Sequence, residues 1–284
     1  MPLGSIVEAV VATSDVTAAA RFYSRAFQLE VLEDRPGDVL LGVGGSPAGR
    51  LRLQTAVDPG LPPPELWEPG PRLLGIYSRN LERTKELVEA AGGTVGPIVT
   101  YPYAQSMREC VLRSPDGMWW TVPQVSPRRP SPALDADPDR LHGELHSAVL
   151  VVGDVDAALR LFATAGGLKV LFDGTLTGDP FDRMLGLPAE ATFRLAFLAS
   201  EDEAPARFEL MQFSGVPDGK VAGRTLGLRR LAFACSGDSV HERLVAAGAE
   251  SIGPRLVRGP DGVEIELRPV DRQSVPLNAP HPPA

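Results

Sequence analysis

Short apolar runs broken by glycine, proline and aspartate dominate the first 55 residues of the chain. The run Ile6–Ala12 is apolar except for Glu8 and predicts a buried strand. Asp15 then provides a helix N-cap, because its side chain can accept a hydrogen bond from the first turn, and a helix is expected over 16–23. Three more strands follow, at Leu29–Leu32, Val39–Val43 and Leu51–Gln54. The pattern predicts a βαβββ unit.

A second unit repeats this order after a proline-rich connector over 57–71. A strand is expected at Leu73–Tyr77, followed by a helix over Glu82–Ala91 that Gly92 and Gly93 end. The remaining strands of this unit are predicted around Ile98, Met107–Leu112 and Trp119–Val122. The last of them follows a Pro-Asp-Gly turn at 115–117, in which proline fixes φ and glycine tolerates a positive φ.

The chain then begins the same pattern again. Residues 126–142 contain four prolines and no hydrophobic periodicity, which is typical of a linker. Asp154–Phe162 repeats Asp15–Tyr23 without a gap, and a second Pro-Asp-Gly turn at 260–262 precedes a final strand. Four units are therefore predicted. Only residues 255–258 separate Gly253-Pro254 from Gly259, so the fourth unit is expected to lack one strand, and 271–284 is expected to be a loose tail.

Composition and charge argue against several classes of function and location. The net charge of −8 over 284 residues, with no cluster of basic residues, argues against nucleic-acid binding. Cys110 and Cys235 lie in apolar runs, where buried thiols are expected rather than a disulfide. No segment is long and apolar enough to span a membrane and no secretory signal is present, so the cytoplasm is the expected location.

These repeats and turns resemble the vicinal oxygen chelate superfamily, which includes glyoxalase I, extradiol dioxygenases and bleomycin-binding proteins. The resemblance rests on the openings at Asp15 and Asp154, the Ala-Ala-Gly helix ends and the Pro-Asp-Gly turns. It implies an α+β fold of two tandem domains, each a cup-shaped mixed β-sheet with its helices outside. The expected divisions are an N-terminal domain, a linker, a C-terminal domain and a tail, over 1–125, 126–142, 143–270 and 271–284.

The resemblance also implies a divalent metal held in a cup by residues of the first and last strands of paired units. The first pair offers a poor ligand set, with Glu8 at the opening position and Gln54, Leu73 and Thr121 at the others. Glu8 is expected either to face solvent or to pair with Arg52. The N-terminal cup is therefore predicted to be degenerate.

The second pair keeps more of the pattern, with Glu209 and Glu266 at the two carboxylate positions. Ser147 stands at the opening position, and the adjacent His146 reaches the cup only through a bulge or a shift of register. Arg230 occupies the other histidine position. Two alternatives stay open: iron, manganese, zinc or nickel bound by Glu209, Glu266 and His146, or no metal, with the Arg230 guanidinium between the two glutamates.

The expected function is lyase or isomerase chemistry on a small oxygenated molecule in the C-terminal cup. Glu266 or Glu209 would act as general base, and Arg230 would hold an oxyanion. A metal-free binding protein is the alternative, and extradiol cleavage is less favoured because Arg230 displaces a histidine. The expected substrate contacts are Ser147, Phe197, Met211 and Phe233. A small-molecule ligand and a monomer or homodimer are expected.

Overall fold

The structure is a computed structural model in which the residues described are 2–46, 48–57, 63–101, 104–128, 130–201, 207–217, 226–235, 237 and 239–269. The predicted tail over 271–284 lies outside these residues. Four units follow one another along the chain, as the repeats predict.

The first half of the chain contains two units. The first unit consists of β1 (Leu3–Thr13), α1 (Val16–Phe27), β2 (Glu30–Arg35), β3 (Asp38–Gly42) and β4 (Arg50–Thr55). The second consists of β5 (Gly70–Ser78), α2 (Leu81–Ala90), β6 (Thr94–Val95), β7 (Val99–Tyr101), β8 (Ala104–Arg113) and β9 (Trp119–Val125). Asp15 caps α1 as expected, since its carboxylate accepts a hydrogen bond of 2.9 Å from the backbone N–H of Ala18. A short helix, α3 (Pro132–Ala136), lies in the predicted linker.

The second half repeats this order with one insertion. The third unit consists of β10 (His142–Val151), α4 (Val155–Leu159) with a π-helical turn, β11 (Lys169–Thr177), α5 (Phe181–Leu185), β12 (Thr192–Ala199) and β13 (Arg207–Ser214). The fourth consists of β14 (Gly227–Cys235), α6 (Ser239–Ala246), β15 (Glu250–Gly253), β16 (Leu256–Arg258) and β17 (Glu264–Pro269). The prediction of a missing strand in the fourth unit is wrong, because β15 and β16 form a tight hairpin in the short segment.

The strands form two mixed sheets, and each sheet combines one unit from each half of the chain. The first sheet has the order β15-β16-β17-β14-β1-β4-β3-β2, and the second has the order β11-β12-β13-β10-β5-β9-β8-β6, with β7 paired to β8. In each sheet the opening strands of two units run antiparallel at the centre, as β1 with β14 and β5 with β10. The α+β fold with two cup-shaped sheets is confirmed.

The units that share a sheet are not the ones that the sequence predicted. Units one and four share one sheet, and units two and three share the other, so neither sheet is built from 1–125 or 143–270 alone. The physical reason is that each opening strand needs a neighbour, and any other opening strand can supply the same backbone hydrogen bonds. In this nested arrangement, with units one and four outside units two and three along the chain, each of the four opening strands has an antiparallel neighbour.

The hydrophobic core joins the two sheets. Trp120 of β9 is fully buried and packs against Tyr23 and Phe27 of α1, with ring centroids 5.3 and 4.9 Å apart. Cys110 and Cys235 are buried free thiols, as predicted, and burial raises the pKa of Cys110 to about 12. Within the part of the chain that the structure describes, no helix has the length and apolar character needed to cross a bilayer.

Candidate functional site

The first sheet carries a network of ion pairs instead of an open site. Glu8 of β1 is buried, and its Oε1 accepts hydrogen bonds from Arg52 Nε at 2.9 Å and Arg268 Nη2 at 2.7 Å. Arg268 also donates to Glu266 Oε1 at 2.9 Å, and Arg230 contacts both Glu264 and Glu266. Of the two alternatives for Glu8, pairing with Arg52 is the correct one. The guanidinium groups of Arg52, Arg230 and Arg268 thus engage the carboxylates of this cup.

The protonation of Glu8 follows from these partners. Burial opposes ionisation of its carboxyl group, but the hydrogen bonds from Arg268 and Arg52 outweigh that effect and hold the pKa of Glu8 below its usual value. Glu8 is therefore a buried carboxylate whose charge is compensated within the protein, which suits a structural role.

The second sheet encloses a pocket with a volume of about 290 Å³. Strands β5, β8, β9, β10, β12 and β13 form its floor and walls, and the inserted helix α5 covers one side with Phe181, Met184 and Leu185. Phe193 and Phe197 of β12 add two aromatic rings because alternate residues of that strand face the same side. The lining is mostly apolar, as in small-molecule binding sites.

Glu109 places a buried carboxyl group in the wall of this pocket. Its carboxyl group accepts a hydrogen bond of 2.6 Å from the hydroxyl of Tyr101 and another from the hydroxyl of Thr121. Burial is the largest influence on its pKa, and together with the negative charge of Glu209 it raises the pKa of Glu109 above the usual value despite the two hydrogen bonds. A carboxyl group in such a setting keeps its proton to a higher pH than a glutamate in water, which makes it a candidate for proton transfer.

Arg207 and Glu209 form an ion pair beside Glu109. Arg207 Nε lies 3.1 Å from Glu209 Oε1, and the guanidinium stacks over the ring of Phe197 at 4.4 Å from its centroid. The carboxylate of Glu209 and the stacked ring therefore hold the guanidinium at the pocket wall.

His146 also lines the pocket, because β10 is irregular at this point. The pairing of β10 with β5 shifts register between Leu145 and Ser147. The sequence predicted that His146 could reach a cup only through a bulge or a shift of register, and such a shift is present. Its imidazole is buried and packs on Tyr77, with ring centroids 4.1 Å apart.

The structure separates the residues predicted to form one site. Glu209, His146, Phe197 and Met211 line the pocket of the second sheet. Glu266 and Arg230 lie in the first sheet, so the prediction that Arg230 bridges Glu209 and Glu266 is wrong: Arg230 pairs with Glu264 and Glu266, and Glu209 pairs with Arg207. Ser147 is fully buried, and Phe233 packs in the core against Phe208. These residues lie apart because units two and three share one sheet, whereas units one and four share the other.

The residues present do not fit a divalent metal. In the second sheet, Val149 is paired in register with Glu209 on one side and with Leu73 on the other, so apolar side chains adjoin the carboxylate. In the first sheet, arginines already engage the carboxylates. Among the described residues, no three His, Cys, Asp or Glu side chains are grouped as a metal site. The proposed set of Glu209, Glu266 and His146 is divided between the sheets.

Sequence analysis missed Glu109, Tyr101 and Arg207. One signal for Glu109 was present, since it and Arg108 are charged residues within the strand predicted at Met107–Leu112, whose other residues are apolar. Arg207 carried no comparable signal, because its importance depends on Glu109, which lies about a hundred residues away in the chain.

Comparison with known proteins agrees with this fold. Residues 5–122 match the sequence model of the Glyoxalase/Bleomycin resistance protein/Dioxygenase superfamily. Glyoxalase I from Zea mays, as its E144Q mutant, aligns with a TM-score of 0.65 and 18% identity over 93% of each chain. A candidate dioxygenase from Bacillus subtilis subsp. subtilis str. 168 aligns with a TM-score of 0.65 and 13% identity over 94% of this chain and 86% of its own. Curated protein sequences gave no match.

The resemblance to the vicinal oxygen chelate superfamily is thereby confirmed. The chain has the fold of these solved structures, with four βαβββ units in two sheets. At these identities the solved structures establish the fold alone.

Proposed function

We propose that this protein binds an apolar organic molecule in the pocket of the second sheet, using its own side chains rather than a bound metal for recognition. The observation that carries the proposal is the pocket itself, a space of about 290 Å³ with aromatic walls and a few polar groups. Small-molecule sites combine these properties, because apolar walls supply affinity and isolated polar groups orient the ligand. The first sheet, whose carboxylates are engaged by arginines, plays a supporting role.

Filling part of the pocket with a larger side chain should weaken binding. Leu176 of β11 is half-buried and lines the pocket, whereas Val170 of the same strand is exposed and does not. We expect Leu176→Trp to weaken binding of 1-naphthylmethanol by at least about tenfold, and Val170→Trp to change it by less than about twofold, in calorimetric titrations. Equal affinities in the two variants would place the ligand elsewhere and contradict the proposal.

Proton-transfer chemistry of the lyase or isomerase type is a second candidate for the same pocket. The specific observation in its favour is the raised pKa of Glu109, caused by burial, at a position flanked by Tyr101 and near Arg207. Glu109 would remove a proton beside a carbonyl group, and the Arg207 guanidinium, which has N–H groups besides the one that binds Glu209, would donate to the oxygen that gains charge. Glu209, paired with Arg207, would position that guanidinium.

Solvent exchange tests this second candidate directly. In D₂O, the protein is expected to accelerate exchange of the protons beside the carbonyl of 1-tetralone, an apolar aromatic ketone, as followed by NMR. Glu109→Gln keeps the shape of the side chain but cannot accept the proton, and should reduce the acceleration by about 10²-fold or more. Glu266→Gln in the first sheet is the matched control and should leave it unchanged. Binding of the ketone without any acceleration would leave only the binding function.

A further inference from the structure

The charged groups around the pocket of the second sheet are unequal in number. The acidic side chains among its described lining residues are Glu109 and Glu209, and the only permanent cation is Arg207. The remaining titratable groups of the lining are Tyr101 and His146. With both of these neutral and both carboxyl groups ionised, the pocket has one more negative than positive charge.

The surplus charge is located at Glu109. Arg207 is engaged by Glu209 through an ion pair of 3.1 Å, whereas the hydrogen bonds to Glu109 come from the neutral hydroxyl groups of Tyr101 and Thr121. Within the described residues, Glu109 forms no ion pair of its own. A buried carboxylate without an opposite charge is costly, so this position is stabilised either by a proton or by a cation from the ligand.

The walls near Glu109 also favour a cation. Tyr101, whose hydroxyl donates to Glu109, packs against Phe181 with ring centroids 5.5 Å apart. Phe181 packs in turn against Phe193 at 5.6 Å. Phe172 and Phe197 complete a set of five aromatic rings around the space. The faces of aromatic rings carry negative potential and attract ammonium groups, most strongly where water is excluded.

We infer that the ligand of this pocket is an apolar, ring-containing molecule that carries one protonated amine, with the ammonium group directed at Glu109 and the apolar part among the phenylalanines. This inference rests on the proposed function of the pocket and adds the chemical class of its ligand. The amine would provide the positive charge that Glu109 lacks, while Arg207 would remain paired with Glu209. An anionic ligand would instead add a second uncompensated negative charge.

Three probes with the same ring test this inference: 1-naphthylmethylamine, 1-naphthylmethanol and 1-naphthoate. In calorimetric titrations near neutral pH, we expect the amine to bind at least about tenfold more tightly than the alcohol, and the carboxylate to bind more weakly than the alcohol. Glu109→Gln should lower the affinity for the amine by about tenfold or more and change that for the alcohol by less than about twofold. Glu266→Gln, the same substitution in the first sheet, should alter none of the three affinities.

The outcomes distinguish an error in the ligand class from an error in the proposed function of the pocket. If the alcohol binds and Leu176→Trp weakens that binding but the amine shows no advantage, the ligand class is wrong and the pocket function stands. If none of the probes binds, the proposed function itself is contradicted. Circular dichroism verifies that Glu109→Gln is folded, and if it is not, the ranking of the three probes on the wild-type protein decides the inference alone.

Discussion

Residues 1–125, produced alone, are expected not to form a folded monomer. This segment contains two complete βαβββ units, but β1 pairs with β14 and β5 pairs with β10, so both opening strands lose their antiparallel partner. Every residue of β5 is buried in the intact protein. Separation would expose two apolar strands with unpaired backbone groups, a condition that leads to unfolding or association.

The test is light scattering and circular dichroism on the separate segments 1–125 and 126–284. Each should be unfolded or associated alone, and co-expression should give a folded 1:1 complex. A homodimer of one segment is the alternative folded form that the topology permits, since β1 of one copy could pair with β5 of another. A monomeric 1–125 segment with a cooperative unfolding transition would contradict this prediction, and would show that β1 and β5 can pair within one segment to give the independent domain that the predicted boundaries propose.

Replacing Glu8 by alanine should destabilise the protein by about 3 kcal/mol. Glu8 is 1% exposed and binds Arg52 and Arg268, whose side chains are 18% and 33% exposed. Its removal breaks one ion pair of each arginine and leaves Arg52 with Asp38 and Glu33, and Arg268 with Glu266. Breaking a buried ion pair costs about 3 to 5 kcal/mol, and we expect a value at the lower end of this range because both arginines are partly exposed to water.

Urea denaturation at neutral and acidic pH measures this effect. The lowered pKa of Glu8 means that the folded protein keeps this carboxylate ionised below the usual value of 4.5. Its contribution to stability is therefore complete above that value and is lost as the pH falls through the lower pKa of the folded state, so the difference between wild type and Glu8→Ala should shrink there. Glu86→Ala breaks the exposed pair with Arg83 and should cost less than about 0.5 kcal/mol. A similar small cost for Glu8→Ala would show that the network contributes little.

Individual residues show how far the sequence predicts the candidate site. Glu209 was predicted from its match to a carboxylate position of the superfamily, and Phe197 and Met211 were predicted as substrate contacts; all three line the pocket. His146 was tied to a bulge that the structure contains. Glu266 and Arg230 were predicted to share a site with Glu209 because the second half of the chain was expected to form one cup. Units three and four lie in different sheets, so these residues are apart. Glu109 was missed because its hydrogen-bond partners, Tyr101 and Thr121, come from two other strands.

The sequence by itself determined the local structure of each unit. Alternating apolar residues specify strands, Asp15 and Asp154 cap helices, and the Pro-Asp-Gly turns precede closing strands, all through interactions between residues close in the chain. Only the tertiary structure decided which units share a sheet and hence which side chains surround a pocket. The physical reason is that sheets are joined by backbone hydrogen bonds, which all opening strands offer alike, whereas the preference between partners arises from packing across the whole molecule.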